Sequence, residues 1–326
     1  MSEEVKNKSE YLVEVRDLKQ YFPIKTGFMK TTPLKAVDGV SFSIKPGETL
    51  GLVGESGCGK STVGRQLVGL ETPTGGRLFY QGKDMEKLSG KEKKSVRTQL
   101  QMVFQDPYSS LNPRKHIYEI LSQPMLYHGI SNKETVHRDV DRLLDMVGLS
   151  KHVLGRYPHE FSGGQRQRIG IARALSLNPR FLVCDEPVSA LDSYLREEVE
   201  GEVGSLLAGF GGTALLVTHN RDEAYRLCRD MIVMDGGQVL RTGGTKEVFA
   251  DPQSTTAARL TGCKNILSCT RVDAHTVRLT GWDAPLRLAA EVLHRRGHPR
   301  PRLCPLRTSC AERSAGAAEL HQRESL

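Results

Sequence analysis

The sequence predicts an α/β fold, and three observations support that prediction. Residues 49–53 form a short apolar strand that leads into a glycine-rich loop and then a helix. Residues 181–184 are an uninterrupted apolar run, which is typical of a central parallel strand. Residues 132–149 place apolar side chains at helical spacing, which indicates an amphipathic helix. A chain of 326 residues is long enough for one large domain of this kind and a smaller appendage.

The composition is ordinary for a globular protein and contains no candidate membrane span. Hydrophobic residues make up 38% of the chain and charged residues 26%, and no run of about 18 apolar residues occurs. The charged first ten residues do not resemble a secretory signal. The seven cysteines lack a disulfide-like spacing, which favours a reducing compartment. The formal charge of +8 permits an anionic partner without identifying one.

The glycine-rich loop at residues 54–61 fits the phosphate-binding pattern G-x-x-x-x-G-K-[ST]. Glycines let the backbone curl so that successive N–H groups face a phosphate, and the helix expected over 60–68 directs its positive end at the same place. A lysine supplies positive charge for phosphate oxygens, and a serine hydroxyl can ligate Mg²⁺. We therefore expect a nucleoside triphosphate to contact Gly54, Glu55, Ser56, Gly57, Cys58, Gly59, Lys60, Ser61 and Thr62.

Two carboxylates, Asp185 and Glu186, follow the second apolar strand. Open α/β sheets bind ligands at the carboxyl ends of their strands, so both side chains are expected beside the phosphates. Asp185 is predicted to reach the Mg²⁺ shell through water, and Glu186 to accept a proton from the attacking water. The alternative is that the pair only caps a helix, and the preceding phosphate loop favours the catalytic interpretation.

A second glycine-rich helix start occurs in residues 161–175, FSGGQRQRIGIARAL. Ser162, Gly163, Gly164 and Gln165 open a helix whose apolar residues recur on one face. Such a helix start can bind an anion, and the alternative is an ordinary N-cap with a solvated arginine face. One domain binds one nucleotide, so a second phosphate-binding helix start is explained if it contacts the nucleotide bound by another copy of the protein.

Together these motifs resemble those of the ATP-binding subunits of ABC transporters, over most of residues 11–265. The resemblance implies a P-loop NTPase of ABC type, with a mixed sheet core, an antiparallel β subdomain and a helical subdomain at about residues 112–165. The matching motifs are GESGCGKS at 54–61, VFQDP with Gln105, FSGGQ at 161–165, VCDEP at 183–187, SALD at 189–192 and VTHN with His219.

The resemblance also implies how the nucleotide is held between two ATPase subunits. The subunits would pair head to tail, so that each ATP lies between one phosphate loop and the other subunit's residues 162–165. Asp192 would contact the opposite subunit. An aromatic side chain near the N-terminus, Phe22 or its neighbour Tyr21, would stack on adenine.

The catalytic roles follow from the same resemblance. Glu186 would be the general base, and His219 would hold the γ-phosphate and that base in register. Gln105 would sense Mg²⁺ and the attacking water and couple them to the membrane partner. The Mg²⁺ ion, bound with ATP and water, would be held by Ser61, Gln105 and Asp185.

The resemblance also implies the protein partners with which this chain would assemble. These are transmembrane permease subunits, a second ATPase subunit of the same or a homologous chain, and indirectly an extracytoplasmic solute-binding protein. We therefore expect a peripheral location on the cytoplasmic face of the membrane and no nucleic-acid partner. The alternative is a soluble ABC-type ATPase acting on nucleic acid or ribosomes, but such chains usually carry two ATPase domains or a long coiled-coil insertion.

The two parts of the chain resemble different importer subfamilies. Residues 1–192 resemble dipeptide and oligopeptide importer ATPases, on stretches such as YFPIKTGF and QMVFQDPYSSLNPRK. Residues 193–290 resemble molybdate-type importer ATPases, on VTHNRDEAYRLCRDMIVMDGG and the LTGC that follows. This pattern predicts a hybrid joined near residue 192, with a peptide as the favoured solute and an oxyanion as the alternative.

The remaining sequence predicts three parts of decreasing order. An ATPase domain is expected over residues 1–255, a short β-rich remnant over 256–292 and a disordered basic tail over 293–326. Within the remnant, 258–263 and 270–280 are expected to be strand-like.

Overall fold

A computed structural model of the chain describes residues 10–27, 30–189, 193–263, 266–273, 275–279, 285–287 and 302–305. The chain divides into two compact units, Met1–Ala250 and Asp251–Leu326. The domain limits at residues 255 and 292 stay predictions, and most of the tail at 293–326 lies outside the described residues.

The described strands of the first unit are β1 (Val13–Gly27), β2 (Lys30–Ile44), β3 (Thr49–Gly54), β4 (Gly75–Tyr80), β5 (Lys83–Asp84), β6 (Leu100–Val103), β7 (Phe181–Asp185), β8 (Thr213–Thr218), β9 (Asp230–Asp235) and β10 (Gln238–Gly244). Its described helices are α1 (Lys60–Leu67), α2 (Gly90–Gln99), α3 (Pro107–Ser110), α4 (Ile117–Tyr127), α5 (Val136–Met146), α6 (Gly163–Leu175), α7 (Ser193–Gly209), α8 (Arg221–Leu227) and α9 (Thr245–Ala250). Two 3₁₀ turns, Lys151–Val153 and Pro158–Glu160, lie between α5 and α6.

The core of the first unit is a six-stranded sheet in the order β10-β9-β3-β8-β7-β6. The pairs from β9 to β6 are parallel and β10 is antiparallel to β9, which confirms the predicted mixed sheet. The central strands β7 and β8 are buried along their whole length, as a strand covered on both faces requires. Because β3, β7 and β8 are parallel neighbours, their carboxyl ends meet at one edge of the sheet.

A second sheet in the order β2-β1-β4-β5 is antiparallel, which confirms the predicted antiparallel β subdomain. Its strands β1 and β2 form a long hairpin in which Tyr21 lies opposite Lys35 and Phe22 opposite Leu34. Successive side chains of a strand point to opposite faces, so Tyr21 and Phe22 cannot serve the same face of this hairpin.

The region predicted to be helical contains α4 and α5, and the apolar face predicted for α5 is buried. Its buried residues are Val136, Val140, Leu143 and Leu144. The helix stops before Gly148, whose φ of 64° is the left-handed conformation that glycine adopts most readily. Helix α6 begins beyond two 3₁₀ turns, so its first residues are held against a short irregular segment.

The second unit combines one helix with a small sheet. Its elements are α10 (Thr255–Leu260), β11 (Ile266–Arg271), β12 (Thr276–Leu279), β13 (Pro285–Arg287) and β14 (Arg302–Pro305), with strand order β13-β12-β11-β14. The strand-like prediction for residues 258–263 is wrong, because Ser254 caps a helix by accepting a hydrogen bond from the backbone N–H of Ala257. None of the helices that the structure describes is long and apolar enough to cross a membrane.

Candidate active site

The phosphate-loop sequence connects β3 to α1 and is held closely by backbone on both sides. Gly59 precedes α1 with a φ of 101°, and a Cβ atom there would lie 2.1 Å from the Ala36 carbonyl oxygen. A Cβ atom on Gly54 would lie 2.4 Å from the Met234 carbonyl oxygen. Glycine is therefore required at both positions, because strands β2 and β9 leave no room for a side chain.

The remaining loop residues divide into an exposed rim and a buried back. Glu55, Ser56 and Gly57 are exposed, as residues that meet a ligand from solvent would be. The Cys58 side chain is buried behind the loop, and burial raises the pKa of its thiol. Only the backbone of Cys58 can therefore face a phosphate.

The Lys60 ammonium lies inside the loop, and its side chain is 3% exposed. It donates to the carbonyl oxygens of Gly54 (2.9 Å) and Glu55 (2.8 Å), and its Nζ is 3.9 Å from Glu186 Oε1. The ammonium also lies 3.9 Å from Cys58 Sγ. An ammonium with such contacts can turn to an added phosphate without leaving its position in the loop.

Ser61, in the first turn of α1, meets Asp185 at the carboxyl end of β7. The Ser61 hydroxyl donates to Asp185 Oδ1 over 2.8 Å. Burial raises the pKa of Asp185, while the Ser61 hydrogen bond and the positive charges of Arg65 and Lys60 oppose that rise. A hydroxyl and a carboxylate at one point are hard oxygen donors, which suit Mg²⁺.

Glu186 is the centre of a second cluster at the same edge of the sheet. Its Oε2 accepts from Gln105 Nε2 over 3.0 Å and lies 3.1 Å from His219 Nδ1. Its backbone has a φ of 44°, a left-handed conformation that non-glycine residues adopt at a cost of about 1–3 kcal/mol. The backbone N–H of Glu186 donates to the Val217 carbonyl oxygen, which fixes this conformation against β8. The side chains predicted to be catalytic, from three separate strand ends, therefore converge on one carboxylate.

The start of α6 is a complete capping box. Ser162 Oγ accepts from the Gln165 backbone N–H (3.3 Å), and Gln165 Oε1 accepts from the Ser162 backbone N–H (3.2 Å). Among the described residues, no hydrogen bond or ion pair links 162–165 to the phosphate loop of the same chain. Arg166 is half-buried, and its guanidinium lies 3.9 Å from the Tyr108 ring centre and donates to the Pro158 carbonyl oxygen.

The two aromatic candidates differ in their surroundings. The Tyr21 hydroxyl donates to Asp38, and Lys35 Nζ donates to the other carboxylate oxygen over 3.1 Å. These hydrogen bonds hold the pKa of Asp38 below its ordinary value. The Asp38 backbone N–H donates to the Gly237 carbonyl oxygen, and the Gly237 N–H donates to the Cys58 carbonyl oxygen of the phosphate loop. The Phe22 side chain is 36% exposed on the other hairpin face.

Several residues around the site were not predicted from the sequence. Gln167 on α6 donates to the Phe104 carbonyl oxygen (3.5 Å), and Arg173 donates to that of Ser110. Both contacts join the helix that starts at Ser162 to the segment beside Gln105. Helix α6 carries several other polar residues, so its sequence does not single out these two. Asp192 lies outside the described residues.

Comparison with known proteins identifies the family. The family model described as ABC transporter matches residues 37–189. The chain is 47% identical over 246 residues to the oligopeptide transport ATP-binding protein AppF of Bacillus subtilis, covering 74% of this chain and 75% of that protein. The chain belongs to the ABC transporter ATP-binding proteins. The chain is accordingly an ATPase.

Further relatives and solved structures agree with this assignment. The chain is 42% identical over 243 residues to the dipeptide transport ATP-binding protein DppF of Escherichia coli, covering 74% of this chain and 73% of that protein. Its fold matches the ATP-binding cassette MJ0796, solved as a post-hydrolysis dimer bound to ADP and Pi, with a TM-score of 0.63 and 28% identity. That match covers 72% of this chain and 98% of the cassette.

The comparisons do not support a molybdate-type second part. The oligopeptide transport ATP-binding protein OppF of Lactococcus lactis strain IL1403 is 41% identical over 262 residues, covering 80% of this chain and 82% of that protein. A match of 262 residues in a chain of 326 necessarily includes residues 65–262, and so crosses the expected junction near residue 192. Within this part, the strand positions 213–218 and 231–234 are buried, and buried strands of related proteins are filled by similar apolar side chains.

Proposed function

We propose that this chain is the ATP-hydrolysing subunit of an importer for dipeptides or oligopeptides. The assignment of a peptide solute is supported by sequence identity. The chain is 41–47% identical, over about three quarters of its length, to proteins named for oligopeptide and dipeptide transport. The ATPase chemistry is supported by the convergence of Lys60, Gln105, Glu186 and His219 at one edge of the sheet.

The phosphate loop and Lys60 bind the triphosphate in this proposal. The backbone N–H groups of the loop and the start of α1 face the phosphates, and the Lys60 ammonium exchanges its carbonyl contacts for phosphate oxygens. The residues that would hold Mg²⁺ are Ser61, Asp185 and Gln105, each of which carries a side-chain oxygen at this edge of the sheet. When bound, the ion neutralises charge on the phosphates.

Glu186 accepts a proton from the attacking water at a carboxylate oxygen. Its Oε2 is already oriented by Gln105 and His219, so the carboxylate needs no reorganisation to receive the water. His219 is half exposed, which leaves its other ring nitrogen free to meet the γ-phosphate. Positioning of this kind is the main contribution a protein makes to phosphoryl transfer.

The second half of each site comes from another ATPase subunit, whose residues 162–165 would close over the γ-phosphate. Support comes from the α6 start, where Ser162 and Gln165 are exposed and capped, and where no hydrogen bond or ion pair among the described residues reaches the phosphate loop. The partner is either a second copy or a homologous chain, and Asp192 would lie on this contact. Permease subunits would bind near Gln105 at the cytoplasmic face of the membrane.

The hairpin contacts favour Tyr21 over Phe22 as the side chain that stacks on adenine. Three hydrogen bonds in series, through Asp38 and Gly237, connect the Tyr21 hydroxyl to the phosphate loop at Cys58. A ring anchored in this way can be held at a fixed distance from the bound phosphates. Phe22 presents its ring on the opposite face.

Peptide uptake tests the proposed function. A Bacillus subtilis strain lacking AppF, and supplied with this chain, should recover uptake of a radiolabelled tetrapeptide. The Glu186→Gln and Lys60→Ala variants should restore none, although both should accumulate to the same level. A chain that hydrolyses ATP and associates with the membrane of that strain, yet restores no uptake, would contradict the peptide assignment.

A further inference from the structure

A buried carboxyl group is bonded to the residue that precedes His219. Glu223 is on the first turn of α8 and is 1% exposed. Its Oε2 accepts a hydrogen bond from the hydroxyl of Thr218, the last residue of β8. Its Oε1 is buried and has no hydrogen-bond partner among the described residues. A buried carboxyl oxygen without a partner is costly, so this group needs an explanation.

The hydrogen bonds of Thr218 define the turn that carries His219. The Thr218 hydroxyl oxygen accepts from the Asn220 backbone N–H over 2.9 Å while its hydrogen is donated to Glu223. Asn220 Oδ1 in turn accepts from the backbone N–H groups of Asp222 (2.9 Å) and Glu223 (3.4 Å). His219 is therefore bracketed on both sides by residues whose orientation depends on one hydroxyl and one carboxyl group.

The charges around Glu223 are mostly negative or neutral. The facing groups are Glu186 and the thiol of Cys184 from β7, Glu200 from α7, the Cys228 thiol after α8, and His219 itself. The nearby cation, Arg226, is paired with Glu200. Burial is the largest influence on the pKa of Glu223 and raises it. The Thr218 hydrogen bond and His219 oppose that rise, Glu200 and Glu186 add to it, and the net pKa is about 7. Glu223 is thus neutral in acid and becomes charged near neutral pH.

We propose that Glu223 is a positioning residue for His219, acting through the Thr218 hydroxyl. With the Thr218 side chain fixed, the Asn220 N–H is held and the imidazole is directed at Glu186 Oε2. This inference rests on the proposed role of His219, because a turn that positions an inert imidazole would have no effect on the rate.

Steady-state ATP hydrolysis by the full chain tests the inference. Glu223→Ala and Thr218→Val should each lower kcat about tenfold with the KM for ATP changed less than about twofold, since neither residue touches the nucleotide. The double variant should also be about tenfold slower, because both changes remove the same contact. Asp139→Asn, which changes a half-buried carboxyl on α5 that accepts from the Ser131 hydroxyl, is the matched control and should retain the wild-type rate.

Glu223→Gln separates a positioning role from a purely structural one. Its amide oxygen can still accept from Thr218, so kcat at pH 6, where Glu223 is neutral, should stay within about twofold of wild type. The ratio of wild-type to Glu223→Gln kcat should rise as pH passes through about 7, because a carboxylate accepts a stronger hydrogen bond than an amide. The same ratio measured for the control Asp139→Asn should not change with pH.

Two outcomes would overturn the inference, and they differ from failure of the proposed function. An additive double variant, about a hundredfold slower, would show that Thr218 and Glu223 act independently. A Glu223→Ala protein with wild-type kcat would show that the turn does not depend on Glu223. If His219→Ala itself retains wild-type activity, the proposed role of His219 fails first. Thermal melting and ATP binding identify any variant that has not folded.

Discussion

At the residue scale, the site depends on backbone positions that admit no side chain or that only glycine adopts easily. Gly57 and Gly59 both have positive φ angles, 80° and 101°, but their surroundings differ. Nothing lies within 4 Å of a Cβ atom built on Gly57, whereas one on Gly59 would overlap the Ala36 carbonyl oxygen. A side chain at Gly57 would therefore meet conformational strain alone, whereas one at Gly59 would meet both strain and steric overlap.

This difference predicts unequal costs of substitution. Gly57→Ala should lower the free energy of unfolding by about 1–2 kcal/mol, the usual cost of placing a non-glycine residue in the left-handed region. Gly59→Ala should cost at least about 2 kcal/mol more, because overpacking against backbone forces strand β2 to move. Urea unfolding measures both values, and equal losses for the two variants would contradict the close approach of β2.

At the element scale, the sequence predicted regular segments well and connections poorly. The strands at 49–53 and 181–184 and the apolar face of α5 are as expected, because their periodicity reflects burial directly. Residues 258–263 were misassigned because a short apolar run fits either a strand or a helix end, and the cap at Ser254 decides it. The Thr218–Glu223 contact could not be predicted, since it depends on how α8 leaves β8.

The pairing of strands also explains why the sequence alone did not decide between Tyr21 and Phe22 as the side chain that stacks on adenine. Tyr21 and Phe22 are neighbours in the chain, and only the pairing of β1 with β2 determines which face each one serves. Sequence alone does not reveal that Asp38 and Gly237 connect Tyr21 to the phosphate loop.

The hairpin gives a prediction for nucleotide affinity. Tyr21→Ala should weaken ATP binding roughly tenfold, since removing one aromatic–base stack costs about 1–3 kcal/mol. Tyr21→Phe keeps the ring and should lose less, and Phe22→Ala should change affinity less than about twofold. Titration with a fluorescent ATP analogue gives all three values. Weakening by Phe22→Ala alone would identify Phe22 as the stacking residue instead.

At the scale of the whole molecule, the first unit brings the ends of separate strands and loops to one edge of a mixed sheet. Ser61, Gln105, Glu186 and His219 come from four chain segments that are distant in sequence and meet only because β3, β6, β7 and β8 are parallel. Motif spacing identified these residues but not their mutual contacts. The start of α6 is capped by its own residues, Ser162 and Gln165. In the proposed dimer it would contact the nucleotide of the other subunit.

The central claim is that Glu186 is the base in this site, and phosphate release by the purified chain tests it most directly. Glu186→Gln should bind ATP with wild-type affinity while hydrolysis falls by about 100-fold or more, the usual contribution of a general base. Glu48→Gln, at the opposite end of β3, should behave as wild type. A Glu186→Gln protein that hydrolyses ATP at the wild-type rate would contradict the account.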